Sequence, residues 1–299
     1  MTDLVPPSRA FVLGLANEEG ALDANVLYKL AAAVGLTDTT IRLTLRRLVQ
    51  SELAESSGRG RSAQIQLTAA GLAERAPDVG WTVLAYRLDQ GLYDWDQRWH
   101  LVSFEIPEAQ RTARDALRNQ LHNLLGASHN GLYVSTHEWE PWVSAIAAHH
   151  GIERHVTMIS TDHIDIGGET DPSEIASQLW PLNELNKQAK EFIDRWSNAA
   201  VDPPADLRDA ARAAYLASTE FEALLRQDPL IPRQLEPNTW NPPAARQLYR
   251  TLIDQLSNTH DEIRQANVFA AFSGALDRTA TMSQTAFDTW LWNATHPRE

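Results

Sequence analysis

All ten tryptophans of this 299-residue chain lie beyond residue 80. A stretch without tryptophan and a body rich in it must fill their cores by different means, so the first 80 residues are expected to fold as a small module apart from the rest. Charge divides at the same place. Residues 1–80 carry 8 Lys and Arg against 9 Asp and Glu, the remainder 18 against 30, and the formal net charge is −13. Such an acidic surface repels phosphate and argues against non-specific coating of nucleic acid. One segment escapes it: Arg42, Arg46, Arg47, Arg59 and Arg61 face only Glu52 and Glu55 within residues 42–61. Cysteine is absent, which excludes disulfides and thiolate chemistry and removes the usual ligands of structural zinc. No apolar run approaches the roughly 18–20 residues of a membrane span, and the start lacks a secretory pattern. A soluble cytoplasmic protein is expected.

The first module reads as helix (9–17), helix (24–34), a turn at Gly35, helix (38–51), then two short strands joined by "SSGRGRS". Thr37 is placed to cap the third helix and Asp38 to complement its positive end. At about 100° per residue, Ile41, Leu45 and Leu48 share one face, while Thr39, Thr40, Leu43, Arg46 and Arg47 lie opposite with Arg42 on the flank. These outward side chains are of the types that reach bases and phosphates, and a hairpin tipped with Arg59 and Arg61 follows. Together they predict a winged helix-turn-helix whose third helix enters a major groove while the hairpin reaches backbone or minor groove.

Beyond it, "WHLVSFEI" (99–106) reads as a strand stopped by Pro107, "EAQRTARDALRNQLHNLLG" (108–126) as a helix, a short strand precedes Asn130, "GLYVST" (131–136) is a strand, 139–151 a helix and 155–160 a strand. That βαββαβ order is the ferredoxin-like arrangement. After an acidic loop (162–174), helices are expected at 174–198, 205–226, 242–270 and 283–294. The expected class is α+β, with a winged-helix DNA-binding domain at 1–76, a linker and ferredoxin-like domain at 77–172 and a helical domain at 173–299.

"GLTDTTIRLTLRRLVQSEL…GRSAQIQLTAAG", "WDQRWHLVSFEIPEAQRTARDALRNQL" (95–121), "GLYVS" (131–135), "LWPLNEL" (179–185) and "DPLIP…LEP…W…AR" (228–246) resemble, block by block, the PaaX-type transcriptional repressors of phenylacetate catabolism. The resemblance implies a homodimer on a palindromic operator, with repression relieved by phenylacetyl-coenzyme A or a related aryl acyl thioester. Four departures stand out. Leu43 replaces Thr, the hairpin carries Ala63, Gln64 and Ile65 where Ser-Tyr-Tyr is usual, Pro181 replaces Asp, and "NPP" follows Trp240 in place of Pro-Gly. The first two bear on the DNA sequence read, the last two on the ligand. Trp180, Trp240 and Arg246 lie in matching segments, and an aromatic wall with a guanidinium suits an aromatic acyl-coenzyme A.

Other chemistries find less footing. His149, His150, His155 and His163 near Asp162 and Asp165 lack metal-ligand spacing, and His149 and His150 should point to different sides of a helix. The loop 162–174 lacks the glycine and spacing of an EF-hand. No nucleophile elbow, P-loop or dinucleotide fingerprint is present. The central region also resembles the CRISPR-adaptation nucleases, for which Asp96 and Glu105 are loose carboxylate candidates. The reading is therefore a DNA-binding regulator and not an enzyme, with no metal and no cofactor; a metal-dependent nuclease and a protein-interaction module are its rivals.

Overall fold

The computed structural model describes residues 7–17, 19–58, 60–74, 76–266 and 270–295. Its contacts gather into two units, one from the residues up to Arg87 with Ala189–Arg226 and those from Pro243 on, the other from Leu88–Gln188 and Gln227–Pro242.

In the first unit the chain forms α1 (Ser8–Gly14), β1 (Ala21–Asp23), α2 (Ala24–Ala33), α3 (Asp38–Gln50), β2 (Ala54–Ser57), β3 (Gln64–Leu67), α4 (Ala69–Ala73) and α5 (Ala76–Asp89). Asp23 starts α2 by accepting from the Asn25 and Val26 amides at 2.7 and 3.2 Å. Gly35 then turns the chain at φ +87°, in the left-handed region that favours glycine, and α3 packs against α2. The expected hairpin is present, and β1 joins it to make a three-stranded antiparallel sheet in the order β1-β3-β2.

The second unit holds β4 (Trp99–Phe104), α6 (Arg111–Asn123), β5 (Ala127–His129), β6 (Leu132–Ser135), α7 (Glu140–His150), β7 (Val156–Thr161) and α8 (Pro172–Leu179). The four strands pair antiparallel in the order β5-β6-β4-β7, which is the ferredoxin-like order that βαββαβ predicts. Asn130 and Gly131, at φ +49° and +81°, make the two-residue turn that matches the twist of the β5–β6 hairpin. One sheet face buries Trp99, Leu101 and Val134 with Ile175, Trp180 and Leu235. Because side chains alternate along a strand, the fully buried Val102 lies on the opposite face.

The expected helix 174–198 is two helices. Trp180 is extended, with φ −122° and ψ 149°, because a following proline disfavours the helical region. Pro181 then opens α9 (Leu182–Val201), followed by α10 (Leu207–Gln227), α11 (Pro242–Thr259), α12 (Asp261–Ala266), α13 (Ala270–Thr279) and α14 (Gln284–Thr295). The expected helix 242–270 likewise breaks at His260, whose Nε2 meets the Pro204 carbonyl at 2.8 Å. Residues 173–299, read from sequence as one helical domain, are shared between the two units.

Within the first unit the N-terminal helices pack on these later ones. Phe11 meets Tyr215 edge-on, and Lys29 pairs with Glu262 at 3.2 Å. Gly80 allows α5 to lie close on α14, since a Cβ there would come within 3.0 Å of Thr295 and 3.2 Å of Leu291. At the end of α5 the buried Arg87 donates to the carbonyls of Thr279 and Met282 and lies over the Phe287 ring. Hydrogen bonds from a charged donor contribute about 1.5–3 kcal/mol each.

Candidate nucleic-acid interface

Helix α3 owes its position to its two ends and one face. Thr37 caps it, its Oγ1 accepting from the Thr40 amide at 3.2 Å and lying 2.9 Å from the Thr40 hydroxyl. Ile41, Thr44 and Leu48 are buried, whereas Leu45, expected in the core, is only half-buried. Thr44 takes the inner place because its hydroxyl is satisfied twice, donating to the Thr40 carbonyl at 3.0 Å and meeting Ser8 Oγ at 2.7 Å.

The opposite face is open. Thr37, Thr39, Arg42, Leu43, Arg46 and Arg47 are exposed and Thr40 is half-buried. Arg42 donates from Nε to the Asp38 carbonyl at 3.2 Å. Arg46 and Arg47 make no ion pair among the described residues, and Glu52 and Glu55 point into solvent without closing on them. Two unneutralised guanidinium groups and a third anchored to its own helix thus form a ridge. Arg59 lies outside the described residues, as does the side chain of Arg61; Gly58 and Gly60 are both in the left-handed region.

The effector candidates fall in different places. Trp180 is a core residue of the second unit, 7% exposed, and Trp240 packs partly buried against the same cluster. Arg246 is buried in the first unit, where its carbonyl accepts from the Tyr86 hydroxyl at 2.8 Å.

Asp96 and Glu105 flank the two ends of β4, and a six-residue strand holds its ends about 20 Å apart, so they cannot share one cation. Asp96 instead serves His100. This buried imidazole has Glu140 Oε1 2.7 Å from Nδ1 and Asp96 Oδ2 3.0 Å from Nε2. Burial alone would lower the His100 pKa, but the hydrogen bonds and charges of Glu140 and Asp96 outweigh it and raise it. Glu140 is held below the usual carboxylate range: its own burial opposes this, and the bond and charge of His100 prevail with help from helix amides. His137 behaves oppositely, since burial, with a contribution from the charge of His100, pushes it down to about 4 despite a 3.4 Å approach to the Pro229 carbonyl. Positions 96, 100 and 140 carry no motif spacing, so sequence reasoning did not assemble this bracket.

Among the described residues no group of three or more His, Cys, Asp or Glu is arranged to hold a metal ion. The rings of His149 and His150 meet edge-on at 4.8 Å instead of diverging, at the end of α7 where Gly151 turns left-handed. The acidic loop satisfies its own backbone: Asp165 accepts from Gly168, Glu169 from Thr170 and Asp171, and Asp171 caps α8. No helix among the described residues is long and apolar enough to cross a membrane.

A ferredoxin-like sheet, a helical region and a small three-helix, three-strand module with a cationic ridge define an α+β protein. Residues 92–175 match the family described as PaaX protein central Cas2-like domain and residues 180–266 the PaaX-like protein C-terminal domain, together more than half of the chain. The chain belongs to the PaaX family. Its fold resembles that of uncharacterized protein Rv0674 from Mycobacterium tuberculosis, with TM-score 0.59 and 20% identity over 86% of this chain and 98% of that one. No functionally curated protein matches the chain in sequence.

Proposed function

We propose that this chain is a sequence-specific DNA-binding transcriptional regulator, a repressor acting in the cytoplasm, with α1–α3 and the β2–β3 hairpin as a winged helix-turn-helix. The observation that carries this is the outward face of α3: Arg42, Arg46 and Arg47 stand exposed, and Arg46 and Arg47 have no carboxylate partner among the described residues. A guanidinium fork matches the O6 and N7 acceptors of guanine, and each such pair discriminates bases by about 1–3 kcal/mol. Thr37, Thr39 and Thr40 at the first turn suit phosphate oxygens, and Arg59 and Arg61 suit backbone contacts that add salt-sensitive affinity.

One reading head makes too few contacts for a tight operator, which favours a homodimer on a palindrome. The second unit offers the surface for it. Strand β7 is an edge of its sheet, its four middle residues are exposed, and they include Met158 and Ile159 at 39% and 48%. An open, apolar strand edge is a template for pairing with another copy. The effector in this reading is an aryl acyl thioester of coenzyme A, phenylacetyl-coenzyme A by family resemblance. Binding to one conformation better than another would release the operator.

The test is direct: measure affinity for a duplex from upstream of the chain's own gene, with Arg46 and Arg47 replaced by Ala. Loss of binding with the fold intact supports the reading; unchanged affinity overturns the assignment of α3. A thermal-shift series with phenylacetyl-coenzyme A tests the effector, because a ligand of the folded state raises Tm.

A further inference from the structure

Leu43 is an exposed leucine, 49% accessible, and a single one on a surface ordinarily means nothing. Its setting is what matters. At about 100° per residue, Thr39, Leu43, Arg46 and Gln50 make the central outward line of α3, directly across from the buried Ile41, Thr44 and Leu48. Arg42 lies to one side of that line and Arg47 to the other. The apolar group thus occupies the crest of the ridge, between guanidinium groups, in the first half of a 13-residue helix, the half that comes nearest the bases when such a helix docks.

The occupant of this face has to be polyanionic to answer the arginines and must also offer an apolar group to answer Leu43. Duplex DNA meets both conditions at one base: the C5-methyl of thymine projects into the major groove, where the other bases show hydrogen-bonding edges. Leucine has no donor or acceptor, so it can discriminate there only by covering that methyl group. From this placement we infer that Leu43 is a specificity-determining residue that packs on a thymine methyl beside a G·C pair read by a neighbouring arginine, once in each half-site. This rests on the DNA-binding reading above.

Both can be tested apart. The full-length protein is used to select duplexes from a randomised pool, and affinities for the selected duplex are measured at fixed salt with each thymine in turn replaced by deoxyuridine, which lacks only the methyl group. Removing one buried methyl-sized group is worth about fourfold in affinity, or about fifteenfold with both half-sites changed. One thymine per half-site should show this loss, Leu43→Ala should bind thymine and uracil forms alike, and Leu43→Met should keep the preference. The Leu43 inference alone is overturned if the protein selects a duplex, R46A/R47A weakens its binding, and wild type is indifferent to uracil at every position, or if L43A keeps the full thymine preference. If no duplex is enriched, the DNA-binding reading fails and this one with it.

Discussion

Helices α3 and α6 are each 13 residues long, each amphipathic, and each carries three arginines. In α6 the arginines are answered by the chain itself: Arg111 lies 3.6 Å from Asp115, Arg114 2.9 Å from Glu108 and 3.8 Å from Asp115, and Arg118 4.0 Å from Asp115. In α3 the only acid is Asp38, at the positive end of the helix where it serves the dipole, and Arg46 and Arg47 are left unneutralised among the described residues. Surface pairs of the α6 kind contribute little stability, so their effect is chiefly to cancel charge. Arginine count therefore says less about function than where the carboxylates fall one turn away.

The largest expected effect exploits that contrast. Replacing Arg46 and Arg47 with Ala should weaken duplex binding by about 100-fold or more at low salt and, with four arginines lost from a bound dimer, flatten its dependence on log salt by up to about 4 units, while the same change at Arg111 and Arg118 should alter affinity less than about twofold, both read by fluorescence anisotropy across a salt series. Equal losses at the two helices would erase the distinction.

The second unit's cancelled cations include His100, and acid should reveal them. His100 has a raised pKa in the folded state, so its contribution is fully present below its unfolded value near 6.5 and fades as pH rises through the folded value. The stability gap between wild type and His100→Gln should thus be widest in mild acid and narrow in base. His137 has the opposite sign: its folded pKa of about 4 lies below the usual 6.5, so the unfolded chain binds the extra proton between those values and stability falls as pH drops through that window. Urea unfolding of the His137→Phe variant should show about 3 kcal/mol less acid loss than wild type between pH 7 and 4.

Converting α3 toward α6 should cost less. Gln50→Glu places a carboxylate one turn from Arg46 and Arg47, and affinity for the selected duplex should fall about five- to tenfold at low salt, with the difference shrinking as salt screens it. Smallest of all, Thr37→Ala removes the cap and should lower stability by about 1 kcal/mol in urea unfolding, with at most a few-fold change in DNA affinity.

Helix α3 was legible because its ends and most of its apolar face are set locally, by a cap at Thr37, apolar residues at helical spacing and a glycine turn before it. The same is true of the βαββαβ order, whose first strand stops short of Pro107 and whose middle strands turn at Asn130-Gly131. Helix α5 was not legible. Thr82 through Leu88 are all buried, and a helix buried on every side shows no amphipathic period to read. Strand β1 has three residues, too few for alternation to register. The exchange of Leu45 for Thr44 in the core of α3 turned on Ser8, 36 residues away, which no helical wheel contains.

What the sequence determined by itself is the set of local elements and the charge each presents, because caps, turn residues and hydrophobic period act within a few residues of chain. Only the tertiary structure decided which charges meet partners far along the chain. Asp96, His100 and Glu140 meet because β4 and α7 are brought side by side, and the helices of the C-terminal half divide between two units through contacts that span as much as 233 residues, as at Lys29 and Glu262. Where no carboxylate falls one turn away, neutralisation depends on close approach across elements far apart in the chain, and such distances exist only once the chain has packed.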